Sequence, residues 1–243
     1  MNKKYIICNL KENKNLAEIK EYKKKLNRIK TNKNIELIIS PTSTYLYLLK
    51  SRKYNLAAQD VSYYPEGAHT GEISAKQLSS LDVKYVLVGH SERRSDFNEN
   101  DEILLNKINN SLLSDIQPIL FVGETKEEKI NGDTSSSLKK QITAIFDKLN
   151  ETNRNKIILV YEPVWSIGNN ETPTGEEIIK TITYIKVILK ELYNIEIPIL
   201  YGGGINISNV KIIADINLLD GIVLGESSKD INNLSDIIKK YSK

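Results

Sequence analysis

The strongest chemical signal in the chain is an isolated acid, Glu162, in the sequence VYEPVWSIG at residues 160–168. It follows an apolar run typical of a buried strand, and it precedes Pro163 and Trp165, the only tryptophan. A carboxylate at the end of a parallel strand, below a loop that begins stiff and reaches Gly168, is typical of a general base under a movable lid. The alternative for this segment alone is a buried acid satisfied by backbone donors before an ordinary loop.

A second candidate, His90, ends the run YVLVGH and is followed by the charged sequence SERR. If a short helix begins after it, the helix amides favour a neutral imidazole that donates a hydrogen bond to a carbonyl oxygen. Glu92 then requires a cationic partner, for which Lys11 or an arginine is the natural choice. The alternatives are a core histidine with satisfied hydrogen bonds and an ordinary surface lysine.

Together these side chains favour one kind of chemistry. A carboxylate base, a neutral hydrogen-bond donor and a lysine around one cavity suit removal of a proton beside a carbonyl group, with an enediolate intermediate. The glycine run 202–204 and the single Gly225 can expose backbone amides to a phosphate. Glycines alone are weak support because turns also use them, but these follow predicted strands.

The composition is typical of a globular protein. Apolar residues make up 40% and charged residues 27% of the 243 residues, so disorder is not expected. The net charge of +3 is too small to indicate nucleic-acid binding, and the basic run 20–33 is interpreted as the solvated face of an amphipathic helix. One cysteine and two histidines argue against a disulfide framework and a cysteine–histidine metal site. No apolar run approaches membrane-spanning length, so we expect a cytoplasmic protein.

Eight short runs of β-forming residues recur along the chain, separated by helical patterns. Most are continuously apolar, as parallel strands covered on both faces are. The pattern predicts an α/β protein, a single-domain (β/α)8 barrel over residues 1–243, with an open doubly wound sheet as the alternative. The polar stretch 131–137 is predicted to be a loop that leads into a helix. The predicted strands are 5–8, 35–39, 56–59, 85–88, 118–122, 157–161, 197–201 and 221–224.

The unusual polar residues fall at the ends of these predicted strands. In a barrel, the carboxyl ends of all strands meet at one mouth, where barrel active sites are built. Convergence of several such residues is much less expected by chance than any one of them. The residues predicted at this mouth are Asn9, Lys11, Gln59, Asp60, His90, Glu162 and the glycines after strands seven and eight.

Several of these segments match one known family. The chain resembles triosephosphate isomerases along nearly its whole length, and the motifs GHSERR and YEPVW together are highly specific for that family. The resemblance implies a TIM barrel that interconverts dihydroxyacetone phosphate and D-glyceraldehyde 3-phosphate, in glycolysis and gluconeogenesis. The matching segments are NLKEN at 9–13, AQDVS at 58–62, GAHTGEIS at 67–74, VGHSERR at 88–94, VGE at 122–124, YEPVWSIG at 161–168, YGGG at 201–204 and DG at 220–221 leading to Gly225.

The resemblance implies roles for individual residues. Glu162 moves the proton between two carbons, His90 polarises the carbonyl group, and Lys11 with Asn9 stabilises the enediolate and binds substrate. A carboxylate base with a neutral histidine is the known arrangement of this family. No metal ion or other cofactor is expected. The supporting residues are Ser91 and Glu92.

Further contacts implied by the resemblance lie on loops. The loop from Pro163 to about Pro173 corresponds to the family's lid, whose Gly168 amide contacts the substrate phosphate on closure. The loop from Gly67 to Glu72 corresponds to one that docks into a second subunit, which implies a homodimer. The expected partners are thus a small phosphorylated sugar and a second copy of the chain, with no nucleic acid and no membrane. The other phosphate-contact positions are Gly204, Gly225 and Glu226.

Several positions depart from the family pattern. Leu10 and Glu12 replace the usual tryptophan and methionine, which leaves the geometry of the first loop and its dimer contacts open. Phe121 replaces a cysteine and requires repacking near the base. Gly204 replaces a serine, so a backbone contact to phosphate survives the change whereas a hydroxyl contact does not.

Glu226 is the most consequential departure, because the family normally has a glycine there that faces the phosphate. Two like charges about 4 Å apart repel by about 4 kcal/mol at an effective dielectric constant near 20. The carboxylate must therefore turn away, be neutralised by a nearby lysine, or weaken phosphate binding.

Two other functions are compatible with these departures. One is a sibling barrel isomerase that acts on another small sugar phosphate. The other is a barrel that has lost turnover and serves as a binding protein. The retained Lys11, His90 and Glu162 argue against the second, because stability alone does not require these three residues at a barrel mouth.

Overall fold

The fold is a closed barrel of eight parallel strands in sequential order, as seen in a computed structural model that describes residues 3–168 and 171–242. This confirms the (β/α)8 prediction, and every strand ends within two residues of its predicted bounds. Strand β8 pairs with β1, which closes the sheet. The strands are β1 Lys4–Asn9, β2 Ile35–Ser40, β3 Asn55–Ala58, β4 Tyr85–Val88, β5 Gln117–Val122, β6 Ile158–Tyr161, β7 Ile199–Tyr201 and β8 Gly221–Leu224.

The strands are apolar on both faces because each face packs against a different layer. Ile7 points into the barrel and belongs to the interior cluster, whereas Ile6 and Cys8 pack outward against the helices. The interior cluster comprises Ile7, Ile38, Ala57, Tyr85, Leu87, Ile119, Phe121, Ile158, Val160, Leu200 and Val223. Filling the barrel with side chains leaves the mouth as the place for a site.

Helices cover the outside of the barrel, and several begin with side-chain caps. Thr174 caps α9 reciprocally with Glu177, which fixes where the chain leaves the preceding loop. The basic run 20–33 is helical only to Leu26, where α1 ends, and the buried side of α1 is Ile19, Tyr22 and Leu26. The prediction is wrong for residues 27–33, which form the connection to β2. The helices are α1 Leu16–Leu26, α2 Leu46–Leu49, α3 Ala75–Ser80, α4 Ser91–Asp96, α5 Asp101–Leu113, α6 Lys126–Ile130, α7 Thr134–Phe146, α8 Glu151–Arg154, α9 Gly175–Tyr193, α10 Val210–Ala214 and α11 Ile231–Tyr241.

The prediction of a loop over residues 131–137 is wrong in its second half, because α7 already begins at Thr134. Its first turn tolerates serine, and Ser137 is buried with its hydroxyl donating to Glu128 at 2.6 Å. Among the described residues, no helix is long and apolar enough to cross a membrane.

Candidate active site

Glu162 lies directly after β6 and is held in place from three sides. Its backbone amide donates to the carbonyl of Val122 on β5, at 2.8 Å. Its carboxylate is buried, accepts a hydrogen bond from the Ser91 amide at 2.9 Å, and lies 3.0 Å from His90 Nε2. The predicted base and the predicted electrophile are therefore in direct contact.

His90 caps the short helix α4, so the helix expected after this residue is present. Its Nδ1 accepts a hydrogen bond from the Glu92 amide at 3.3 Å. A nitrogen that accepts cannot carry a proton, so this hydrogen-bond pattern assigns the proton to Nε2, which donates to Glu162. This pattern places the N–H on Nε2, next to the Glu162 carboxylate.

Lys11 has a left-handed backbone, with φ of 48°, which is uncommon for a residue other than glycine. The Asn9 side chain accepts from the Lys11 amide at 3.0 Å, and Gln59 donates to the Lys11 carbonyl at 3.1 Å. The Lys11 ammonium pairs with the carboxylate of Glu92. Asn9 and Gln59 thus hold the strained turn, and Glu92 supplies the counter-charge predicted for it.

These groups open into a cavity of about 300 Å³ at the barrel mouth. On the side away from His90 and Glu162, its wall is mainly glycine backbone from the loops after β6, β7 and β8. The predicted phosphate-contact residues Gly168, Gly204, Gly225 and Glu226 all lie in this wall. Two residues of the predicted lid, Asn169 and Asn170, lie outside the described residues.

A barrel with this constellation at its mouth can be compared with known families. The family model described as triosephosphate isomerase matches residues 4–241. A triosephosphate isomerase from Dictyoglomus thermophilum is 35% identical, with 98% of this chain and 100% of the relative covered. One from Mycoplasmoides gallisepticum is 34% identical over 98% of each chain, and one from Endomicrobium trichonymphae is 34% identical over the whole of both.

The chain belongs to the triosephosphate isomerase family. This membership confirms the resemblance drawn from the motifs, and it does not favour the two alternative functions. The departures from the family pattern can now be located in the structure.

Phe121 is fully buried in the barrel interior, beside His90. Its ring centroid lies 5.2 Å from that of His90, with the rings inclined at 59°. Its carbonyl accepts a hydrogen bond from Arg94 at 3.1 Å, which ties β5 to α4. The large side chain is thus accommodated as one wall of the His90 site.

The two departures beside Lys11 face opposite directions. Leu10 is buried in the core, and its amide donates to the Ser40 carbonyl at 2.9 Å. Glu12 is exposed and lines a surface groove together with Phe97. The buried leucine keeps the start of this loop attached to the barrel, while Glu12 lies in the groove next to Lys11.

Gly204 is a glycine for a steric reason that the structure makes visible. A Cβ atom there would lie 3.0 Å from Thr172 Cγ2 and 3.2 Å from the carbonyl oxygen of Ser166. Both contacts are tight, so a serine at residue 204 would press on the base of the loop after β6. A side chain at residue 204 therefore requires these neighbours to shift by a few tenths of an ångström.

The Glu226 side chain is 84% exposed and pairs with Lys229. Of the three outcomes expected for this carboxylate, the structure combines the first two: it turns away from the cavity, and a lysine neutralises it. Glu226 still lines the cavity, next to Gly225.

Sequence reasoning gave no role to a buried carboxylate under the lid, Glu124. It accepts hydrogen bonds from Trp165 Nε1 at 2.7 Å and from the Tyr161 hydroxyl at 3.1 Å. Burial raises the pKa of this carboxyl, against the lowering effect of those two donors. The first turn of the lid is therefore anchored to the loop after β5. The signal in the sequence was the VGE motif, which places an acid directly after a strand.

A second unpredicted feature is a charged network behind α4. Arg93 pairs with Asp60 at 2.7 Å and with Glu99 at 2.6 Å. The buried Lys107 bridges the same two carboxylates. Burial raises the pKa of Asp60, while Lys107 and Arg93 act in the opposite direction. This network joins α4 and α5 to the loop after β3, so it fixes the helix that carries Ser91 and Glu92.

Proposed function

We propose that the chain is a triose-phosphate isomerase that interconverts dihydroxyacetone phosphate and D-glyceraldehyde 3-phosphate, with residues 1–243 acting as one catalytic domain. The observation that carries the proposal is the contact between a buried carboxylate, Glu162, and Nε2 of His90, at 3.0 Å. Family membership identifies the substrate class as a phosphorylated triose. Such a role in glycolysis agrees with a cytoplasmic location.

In the first step Glu162 removes a proton from the carbon beside the substrate carbonyl. The carbonyl oxygen replaces the Glu162 carboxylate as the acceptor of the His90 Nε2 hydrogen. Substrate binding therefore has to separate these two side chains, which frees the carboxylate to reach the carbon. The C–H electron pair moves into a new carbon–carbon double bond, and the carbonyl electrons move onto oxygen, giving the enediolate.

In the second step the proton on Glu162 is returned to the neighbouring carbon, while a hydroxyl proton shifts between the two oxygens. His90 stabilises the charge that develops on oxygen, and the fixed ammonium of Lys11 favours an anion in the cavity. Glu92 pairs with Lys11, so the charge of this partly exposed ammonium is balanced before substrate binds. The two steps together move a proton from one substrate carbon to the next by way of Glu162, and they require no cofactor.

We assign the phosphate to the glycine wall. Backbone amides at residues 168, 204 and 225 can donate to phosphate oxygens without bringing a side chain into the cavity. For Glu226 we assign any substrate contact to its backbone, because the side chain is exposed. Closure of the lid over the phosphate completes this site in the proposal, with Gly168 as the contacting residue.

The direct test is a coupled assay of the purified protein in both directions. We expect isomerisation of dihydroxyacetone phosphate and of D-glyceraldehyde 3-phosphate, and no comparable turnover of pentose or hexose phosphates. A protein that binds the triose phosphates but turns over neither would contradict the proposal, and faster turnover of a longer sugar phosphate would replace it.

We further propose that the chain works as a homodimer through the loop from Gly67 to Glu72. This loop is largely exposed, and the His69 ring at its centre stacks on Tyr64 at 3.6 Å between centroids. A groove of about 640 Å³ opens next to Lys11 and is lined by Phe97, which is 63% exposed. A partner's loop in this groove would cover apolar surface and support the turn that carries Lys11.

Sedimentation velocity tests the dimer. We expect the full chain to sediment as a dimer, and a variant with this loop shortened to sediment as a monomer with kcat reduced by about tenfold or more, since Lys11 loses support. Shortening an exposed loop away from the groove, at residues 131–133, is the matched control and should leave the dimer intact. A full chain that is active as a monomer would refute the proposal.

A further inference from the structure

Lys229 does not line the cavity, but it pairs with Glu226, whose negative charge would weaken phosphate binding if it faced the cavity. Glu226 follows Gly225 directly, and a Cβ atom at Gly225 would lie 3.7 Å from Lys11 Cε. The turn after β8 is therefore next to the cation that faces the substrate. A carboxylate here would either repel the phosphate or compete with it for Lys11.

Hydrogen bonds hold the backbone of this turn, so the position of the Glu226 charge depends on the rotamer of its side chain. The Ser228 hydroxyl donates to the carbonyl of Gly225 at 2.7 Å, and the hydroxyl of Tyr22 donates to the carbonyl of Ser228 at 2.8 Å. The Ser227 hydroxyl donates to the carbonyl of Ile205 after β7. With the backbone held, rotation of the side chain is the remaining freedom.

We propose that Lys229 is a positioning residue for substrate binding, which draws the Glu226 carboxylate to the outside of the β8 turn and keeps it off the phosphate. Glu226 begins the short helical turn Glu226–Ser228, and Lys229 directly follows this turn, three residues after Glu226. The glutamate side chain is 84% exposed and the lysine 30%, so the carboxylate meets the ammonium on the solvent side of the turn. This inference rests on the proposed function, because it assumes that the glycine wall receives a phosphate.

The test compares Lys229→Gln with the double variant Glu226→Gln/Lys229→Gln. At low ionic strength, Lys229→Gln should raise KM for dihydroxyacetone phosphate and the Kd for inorganic phosphate by about three- to tenfold, with kcat within about twofold. The double variant should return both constants to within about twofold of the wild type, and salt should remove the defect of the single variant. Lys229→Arg, which keeps the cation, should behave as the wild type.

Lys239→Gln is the matched control, since Lys239 also pairs with an acid three residues away, Asp236 at 3.1 Å, and does not line the cavity. Inorganic phosphate binding is measured by calorimetry, so it reports on Lys229 even if the protein fails to turn over triose phosphates. A Lys229→Gln variant with wild-type constants at low salt would overturn the inference. So would a double variant as weak as the single one, because Lys229 would then bind the phosphate itself.

Discussion

The two ends of the cavity are built in different ways. At the end assigned to proton transfer, polar and charged side chains hold one another: Glu162 contacts His90, and Lys11 pairs with Glu92. At the end assigned to the phosphate, the wall is mainly glycine backbone, and the one acidic side chain, Glu226, turns outward.

The difference follows from what each end has to do. Proton transfer needs a base and a donor with defined charge and position, which buried, hydrogen-bonded side chains supply. Holding a phosphate needs several amide donors and no competing charge, which glycine-rich turns supply. Side-chain substitutions at the first end should therefore lower kcat, whereas those at the second should change KM.

The largest effect is expected for Glu162→Gln. An amide has nearly the same shape but cannot accept the proton, so kcat should fall by about 10²- to 10⁴-fold, with the fold retained. Steady-state kinetics and circular dichroism measure both. Glu196→Gln, at an exposed glutamate that pairs with Lys190 at 3.6 Å, is the control and should have wild-type kcat. A Glu162→Gln enzyme with more than about a tenth of the wild-type kcat would exclude Glu162 as the base.

His90→Gln should lower kcat by about 10²-fold or more and change KM much less, because the imidazole acts on charge that develops in the transition state. Nitrogen NMR adds a second readout. Nδ1 of His90 should be unprotonated at pH 7, since it accepts from the Glu92 amide. The chain has only two histidines, so the His90→Gln spectrum assigns the signals. An imidazolium at residue 90 would contradict the mechanism.

The sequence predicts the strands and the main polar residues at their ends, but not every helix boundary. The strands were predictable because parallel strands buried on both faces leave continuous apolar runs, and Glu162 and His90 stood out as polar residues at the ends of two of them. The start of α7 was not predictable from composition, since a polar first turn on the surface resembles a loop. Family motifs supplied the residues assigned to the substrate, which spacing alone left open.

The sequence does not predict which side chains from distant segments of the chain come into contact. Gln59 was expected at the mouth, but its hydrogen bond to the Lys11 carbonyl depends on how β1 and β3 are placed. The pairing of Lys107 with Asp60 and Glu99 likewise joins segments far apart in the chain. The direction of the Glu226 side chain depends on a rotamer and on one neighbouring lysine, so three outcomes stayed open until the structure was known.

Gly123→Ala should disturb the first end without touching a catalytic group. A Cβ atom at this residue would overlap the backbone carbonyl of Glu162, so β5 and β6 must move apart there. We expect a loss of about 1–3 kcal/mol in the free energy of unfolding and a lower kcat. Gly175→Ala is the control, because its Cβ meets only a side-chain atom of Ile212 at 3.4 Å. Thermal unfolding and steady-state kinetics of both variants test this prediction. Equal stability and equal kcat in the two variants would show that the position of the Glu162 backbone is not critical.

The smallest effect is expected for Glu226→Gln, which tests the second end. The side chain is 84% exposed and already paired with Lys229, so removing its charge should lower KM by no more than about twofold at low salt. Kinetics at several salt concentrations measure this. A tenfold fall in KM would mean that the carboxylate faces the phosphate despite its partner. A clear rise would mean that the side chain contacts substrate, and the phosphate end would then depend on side-chain chemistry as the other end does.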